Sequence, residues 1–110
     1  MINSPNYPRK YSGHLDCDIL LITEKGTKIA IQFYNFSVEP GDYWGCWDWI
    51  DIYDGRNSSA EILKSRLCGN TFEEKNVFAT ESSMFITFKS RDGGTGGLFR
   101  FRIMIGTNFS

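Results

Sequence analysis

The sequence predicts an all-β fold, an antiparallel β-sandwich, and three observations predict it. Apolar residues alternate with polar ones along segment after segment, the period-two signature of half-buried strands. Turn signals interrupt these segments every ten or so residues, as in small sandwiches. No stretch keeps a helical apolar period long enough to compete.

The strands can be taken in order. Leu15, Cys17, Ile19 and Leu21 form the first inward series, closed by a Glu24-Lys25-Gly26 turn. Ile29, Ile31 and Phe33 form the second. Trp49 to Tyr53 is the third strand, with Ile50 and Ile52 on one face and Asp51 on the other, ending at an Asp54-Gly55 turn signal. Ile62 to Leu67 is a weaker fourth, followed by Gly69-Asn70. Val77 to Ala79 comes next, then Met84-Ile86-Phe88 after Glu81-Ser82-Ser83. Phe99, Phe101, Ile103 and Ile105 form the last inward series, after the Gly-rich segment Asp92 to Gly97.

Size and composition narrow the function. With 110 residues the chain is one domain, large enough for a core, and its 41% hydrophobic content excludes a disordered chain. Twelve basic and thirteen acidic residues leave a net charge of −1, without the clustered Lys and Arg that nucleic acid requires. No apolar run reaches the ~18 residues of a membrane helix. The opening Met1-Ile2-Asn3-Ser4-Pro5 does not read as a signal peptide.

The three cysteines are Cys17, Cys46 and Cys68, none in a C-x-x-C pair. Cys46 and Cys68 flank the best strand, which suits a bridge, and Cys17 is left over, buried or separated from an upstream partner. A loop of that size is worth about 3 kcal/mol in the chain-entropy account of disulfides. Sequons at Asn35, Asn57 and Asn108 lean with the cysteines toward a secreted or cell-surface setting, although Asn35 falls inside a predicted strand.

Catalysis has little to stand on. His14 is the only histidine and sits in the polar Tyr11-Ser12-Gly13-His14 segment, where it reads as a surface residue rather than a positioned base. Glu39 and Asp48 as paired glycosidase carboxylates would need a cleft, and a small sandwich has no evident one. The segment Arg91 to Gly97 lacks the Lys-Ser/Thr pair of a phosphate loop and precedes no helix, so it reads as a connection between strands. The expectation is a non-enzyme.

Phe36 to Gly55 is the most informative stretch. Glu39, the bend Pro40-Gly41, Cys46 and Asp48 precede the third strand. Acids on a loop tethered at a strand's edge can hold calcium, which takes six to eight oxygen ligands. The same acids can also merely solvate a loop. Tyr43 and Trp44 are the better contact candidates among the aromatics there, since Trp47 and Trp49 are expected to pack on the sandwich. Lys89, Arg91, Arg100 and Arg102 gather positive charge near the last strands. Arg100 and Arg102 share the solvent side, where they blunt the sheet or offer a patch to a sulfated glycan.

Several of these segments, in this order, resemble the CUB domain family over nearly the whole chain. Ser4-Pro5-Asn6-Tyr7-Pro8 with Tyr11 resembles its N-terminal signature. Cys17-Asp18-Ile19-Leu20-Leu21 resembles its C-x-W-x-I strand, with Ile19 for the usual Trp, and Phe33 to Glu39 its F-x-x-F-x-x-E segment. Cys46 to Gly55 is similar to its C-x-D-Y-V-E-I-Y-D-G run, and Cys68-Gly69 and Phe88-Lys89-Ser90 complete the set.

The resemblance implies a jelly-roll-like sandwich of two sheets that serves as an extracellular interaction module within a larger protein. It implies that Cys17 pairs with a cysteine upstream of the Ser-Pro-x-Tyr-Pro segment, so that residues 1–110 lack the first segment of the domain and Met1 is an added start. It also implies one Ca2+, held by Glu39, Asp48 and Asp92, with Tyr11 supporting the surface. Arg91 stands where the second Asp is normal, and Asp92 comes one residue later. In the family such ordered acids accept a lysine or arginine of a protein partner. Two other readings stand beside this one. The first is a calcium-free module binding protein or glycan through Tyr43, Trp44 or the Arg100–Arg102 face. The second is a spacer or protease exosite working with other domains of the parent chain.

Overall fold

The computed structural model describes residues 2–4, 7, 14–38, 46, 48–69, 76–90 and 97–107. Among the described residues eight strands follow one another: β1 (Ile2–Asn3), β2 (Leu15–Ile22), β3 (Lys28–Ser37), β4 (Trp49–Asp54), β5 (Glu61–Leu67), β6 (Asn76–Phe78), β7 (Ser83–Ser90) and β8 (Leu98–Gly106). They form two four-stranded sheets, β1-β8-β3-β6 and β2-β7-β4-β5, and every pairing is antiparallel. The expected all-β, jelly-roll-like sandwich is what the chain forms.

Alternation places the core between the sheets. Ile29, Ile31 and Phe33 of β3 and Phe99 and Phe101 of β8 face Ile50 and Ile52 of β4 and Met84, Ile86 and Phe88 of β7, all buried. Phenylalanine rings knit this layer: Phe33 meets Phe101 edge-on at 5.3 Å between centroids, and Phe88 meets Phe99 at 5.0 Å. Such pairs contribute beyond the area they bury. Leu15, Cys17, Ile19 and Leu21 flank the core from β2.

Three features depart from the sequence reading. β1 was not anticipated, because two residues are too few to show alternation. Ser4, 3% exposed, extends its pairing: its N–H donates to the Phe99 carbonyl (2.9 Å) and its hydroxyl accepts from the Phe99 N–H (3.0 Å). Ile105, expected inward, is 60% exposed. Among the described residues β1 pairs with β8 only at Arg100 and Phe101, and no strand pairs with that side of β8 beyond them. β5, the weaker strand, carries two register shifts against β4, and Arg66 within it has a left-handed φ of 52°.

The Asp54-Gly55 turn is fixed from two sides. The Asp54 carboxylate accepts from the Thr80 N–H (3.0 Å) and the Thr80 hydroxyl (2.6 Å), tying β4 to the segment between β6 and β7. A Cβ on Gly55 would come within 2.5 Å of the Ala60 Cβ, so only glycine fits the approach.

This packing makes a contrasting prediction. Urea denaturation of Phe101→Ala, which empties a fully buried position, is expected to show a loss of about 3–5 kcal/mol. Ile105→Ser at the open margin is expected to change stability by no more than about 0.5 kcal/mol.

Candidate functional site

The entry to β4 is where the anticipated site residues meet described structure. Cys46 and Cys68 form a disulfide with 6.0 Å between their Cα atoms. It clamps the approach to β4 against the end of β5, the bridge that the sequence suited. Gly69, the next residue, makes a two-way backbone pair with Val38 at the end of β3 (3.0 and 2.7 Å). The ends of β3, β4 and β5 are therefore gathered at one edge of the sandwich.

Asp48 lies between the disulfide and β4 and is only 1% exposed. A carboxylate that merely solvated a loop would be in water. Burying a carboxylate is costly unless polar or charged partners compensate, and Asp48 is not without partners. Of the acids expected to hold calcium, Asp48 alone falls on described structure; Glu39 and Asp92 lie outside the described residues. Among the described residues no group of three His, Cys, Asp or Glu stands together to hold a metal ion.

Other anticipated positions divide in the same way. Tyr11, Tyr43, Trp44 and Asn108 lie outside the described residues. Asn35 falls in β3, with its side chain outside the description, whereas Asn57 is exposed and accepts a hydrogen bond from the Ser59 N–H (2.9 Å). Cys17 is a free, half-buried thiol on β2, packed against the core. His14 is exposed just ahead of β2.

The basic face is less uniform than alternation implied. Arg102 is exposed, with its guanidinium 5.8 Å from the Tyr34 ring centre. Arg100 is half-buried beneath its neighbours, 5.6 Å from the Tyr7 ring, and its Nε is buried without a hydrogen-bond partner among the described residues. Of the two guanidinium groups, that of Arg102 is the more exposed, although its Nη2 donates to the Met104 sulfur at 3.7 Å.

Sequence reasoning missed a bracing contact beside Asp48. The Arg66 N–H donates to an Asp51 carboxylate oxygen at 2.7 Å, supporting the left-handed backbone there. The same arginine lies over the Trp49 ring, 4.2 Å from its centre, a cation–π contact. Alternation put Asp51 outward, but nothing in the residue type marks Arg66 for a left-handed conformation.

Among the described residues, then, the chain is an eight-stranded β-sandwich with a disulfide at the mouth of β4 and a buried carboxylate beside it. The model for the CUB domain matches residues 1–102, and the chain belongs to that family, whose domains are non-catalytic interaction modules. Cubilin from Canis lupus familiaris is 34% identical over 99 residues, covering 90% of this chain but 3% of cubilin. Tolloid-like protein 1 from Homo sapiens is 34% identical over 90 residues, covering 82% of this chain and 9% of that protein. The crystal structure of the MASP-1 CUB2 domain bound to Ca2+ superposes with a TM-score of 0.73 at 25% identity, over 92% of this chain and 88% of that one. The chain thus spans a small part of these curated relatives. They are secreted or extracellular proteins, and this is an extracellular domain. No helix among the described residues is long and apolar enough to cross a membrane.

The clamp at β4 yields a stability prediction. Replacing both cysteines (Cys46→Ser with Cys68→Ser) releases a loop of sequence separation 22. Urea denaturation is expected to show a loss of about 3 kcal/mol in a still cooperative transition.

Proposed function

We propose that this domain is a calcium-dependent protein-recognition module, one of the domains of a longer extracellular protein. The observation that carries the proposal is the burial of Asp48. Its carboxylate is removed from water at a sandwich edge where the ends of three strands converge, the environment in which a bound cation would offset the cost of desolvation. The MASP-1 CUB2 domain, similar over nearly its full length, was crystallised with Ca2+.

The residues that would hold the ion are Glu39, Asp48 and Asp92, an all-oxygen set suited to a hard cation. When bound, Ca2+ supplies the positive charge that lets these acids sit together. Asp48 follows the disulfide and leads into β4, so it is the member of the set that the framework fixes. The carboxylate oxygens left over then accept a lysine or arginine side chain of a protein partner, with Tyr11, Tyr43 and Trp44 as flanking contacts. Such a pair is weak alone, and repetition across modules raises it through effective concentration. An anion-binding role for the Arg100–Arg102 face has less support, because Arg100 is half-buried.

Calorimetric titration with Ca2+ tests this reading. The wild-type domain is expected to bind with a dissociation constant between roughly 10⁻⁵ and 10⁻³ M. Asp48→Asn, which keeps the shape of the side chain, is expected to abolish the binding while circular dichroism shows the sandwich intact. Saturable binding that survives in the variant, or none in the wild type, contradicts the proposal.

A further inference from the structure

The hairpin between β4 and β5 carries a sequon that neither the core nor the calcium edge uses. Residues 55–60 join the two strands and include Asn57-Ser58-Ser59, the Asn-x-Ser pattern without proline. All three residues are exposed. The Ala60 N–H donates to the Asn57 carbonyl (3.2 Å), and the Ser59 N–H donates to the Asn57 Oδ1 (2.9 Å). Asn57 thus commits its carboxamide oxygen to the turn. Its Nδ2 has no hydrogen-bond partner among the described residues. The sequon at Asn35 stands differently, since Asn35, Phe36 and Ser37 are paired in β3 with Arg100, Phe99 and Leu98.

Asn57 also borders an apolar surface on the outer face of the β2-β7-β4-β5 sheet. Pairing sets Leu20, Phe85, Tyr53 and Ile62 side by side in one row across the four strands. Their neighbours Leu21, Ile86, Ile52 and Leu63 turn to the core instead. At about 4.8 Å between strands, the row is roughly 14 Å long. Leu20 is 46% and Ile62 45% exposed, and between them the half-buried Tyr53 and Phe85 rings lie 6.1 Å apart. Single exposed apolar side chains are ordinary, but a continuous row of four is a surface that calls for a cover. Asn57 and Ser58 line the same groove, of about 400 Å³, as Tyr53 and Phe85.

We propose that Asn57 carries an N-linked glycan whose first N-acetylglucosamine units lie over this apolar row. The donor is an oligosaccharide carried on a lipid pyrophosphate. Asn57 Nδ2 bonds to C1 of the first sugar and gives up one proton. The bond from C1 to the phosphate oxygen breaks, and the lipid pyrophosphate leaves with the electron pair. Secretion brings an extracellular domain past such a donor. A pyranose ring presents C–H bonds on its faces and hydroxyls around its rim, so it rests on aromatic rings while its polar groups stay in water. Asp48 precedes β4 and Asn57 follows it, so the six residues of that strand separate the two by roughly 20 Å. The glycan therefore leaves the β4 entry open.

The test secretes the chain from mammalian cells behind a signal peptide and maps its peptides by mass spectrometry, before and after peptide-N-glycosidase. A glycan on the Asn57 peptide is expected, and its release converts Asn57 to aspartate. Ser59→Ala removes the sequon hydroxyl but keeps the Ser59 N–H bond to Asn57. It is expected to abolish that glycan, with circular dichroism unchanged. Unmodified Asn57 in the secreted wild type, or equal modification in Ser59→Ala, overturns the proposal. Trimming the glycan to one N-acetylglucosamine with an endoglycosidase then tests the packing by nuclear Overhauser effects. Contacts from the sugar protons to the Tyr53 and Phe85 rings are expected, and their absence overturns the covering of the row.

Discussion

Two sheets can share one core only if every second side chain of their strands turns inward, and that parity determines where the rest of this molecule goes. On β4 it buries Ile50 and Ile52 and sends Trp49, Asp51 and Tyr53 out. On β7 it buries Met84, Ile86 and Phe88 while Phe85, Thr87 and Lys89 take the other side. A slip of one residue would exchange the two faces. The interdigitated phenylalanines make such a slip expensive, since a buried aromatic carries several kcal/mol. Which side chains these strands offer to solvent is therefore a consequence of the core register.

Asp48 departs from this order, and its position explains the edge around it. It lies ahead of β4, buried although acidic, where the Cys46–Cys68 bridge and the Val38–Gly69 pair close the end of the sandwich. Apolar packing alone gives no reason to sequester a carboxylate. The partners that Asp48 meets offset that cost, and a cation there is the reading proposed above.

How much of this was legible in the sequence follows from the same physics. Period-two patterning placed seven of the eight strands and the inward residues of β2, β3, β4 and β7, because burial on one face writes itself directly into residue type. Two-residue β1 left no such trace, and neither did the open margin that exposes Ile105, since both depend on which strand lies alongside. The cysteine spacing suited the bridge that forms. The loop acids were visible as acids, but the burial of Asp48 was not, because it arises from strand ends that meet only in the folded chain. The left-handed Arg66 and its support from Asp51 were equally hidden, being properties of a bulged pairing.

The central claim, that Asp48 anchors a calcium-ordered edge, is tested most directly by amide hydrogen exchange with saturating Ca2+ and then with chelator. Slower exchange in Ca2+ is predicted around Asp48, from Cys46 to Ile50, with the amides of the central strands β3 and β7 unchanged. Equal rates in both conditions throughout the chain would contradict it, and Asp48 would then be a buried structural carboxylate with no ion to hold.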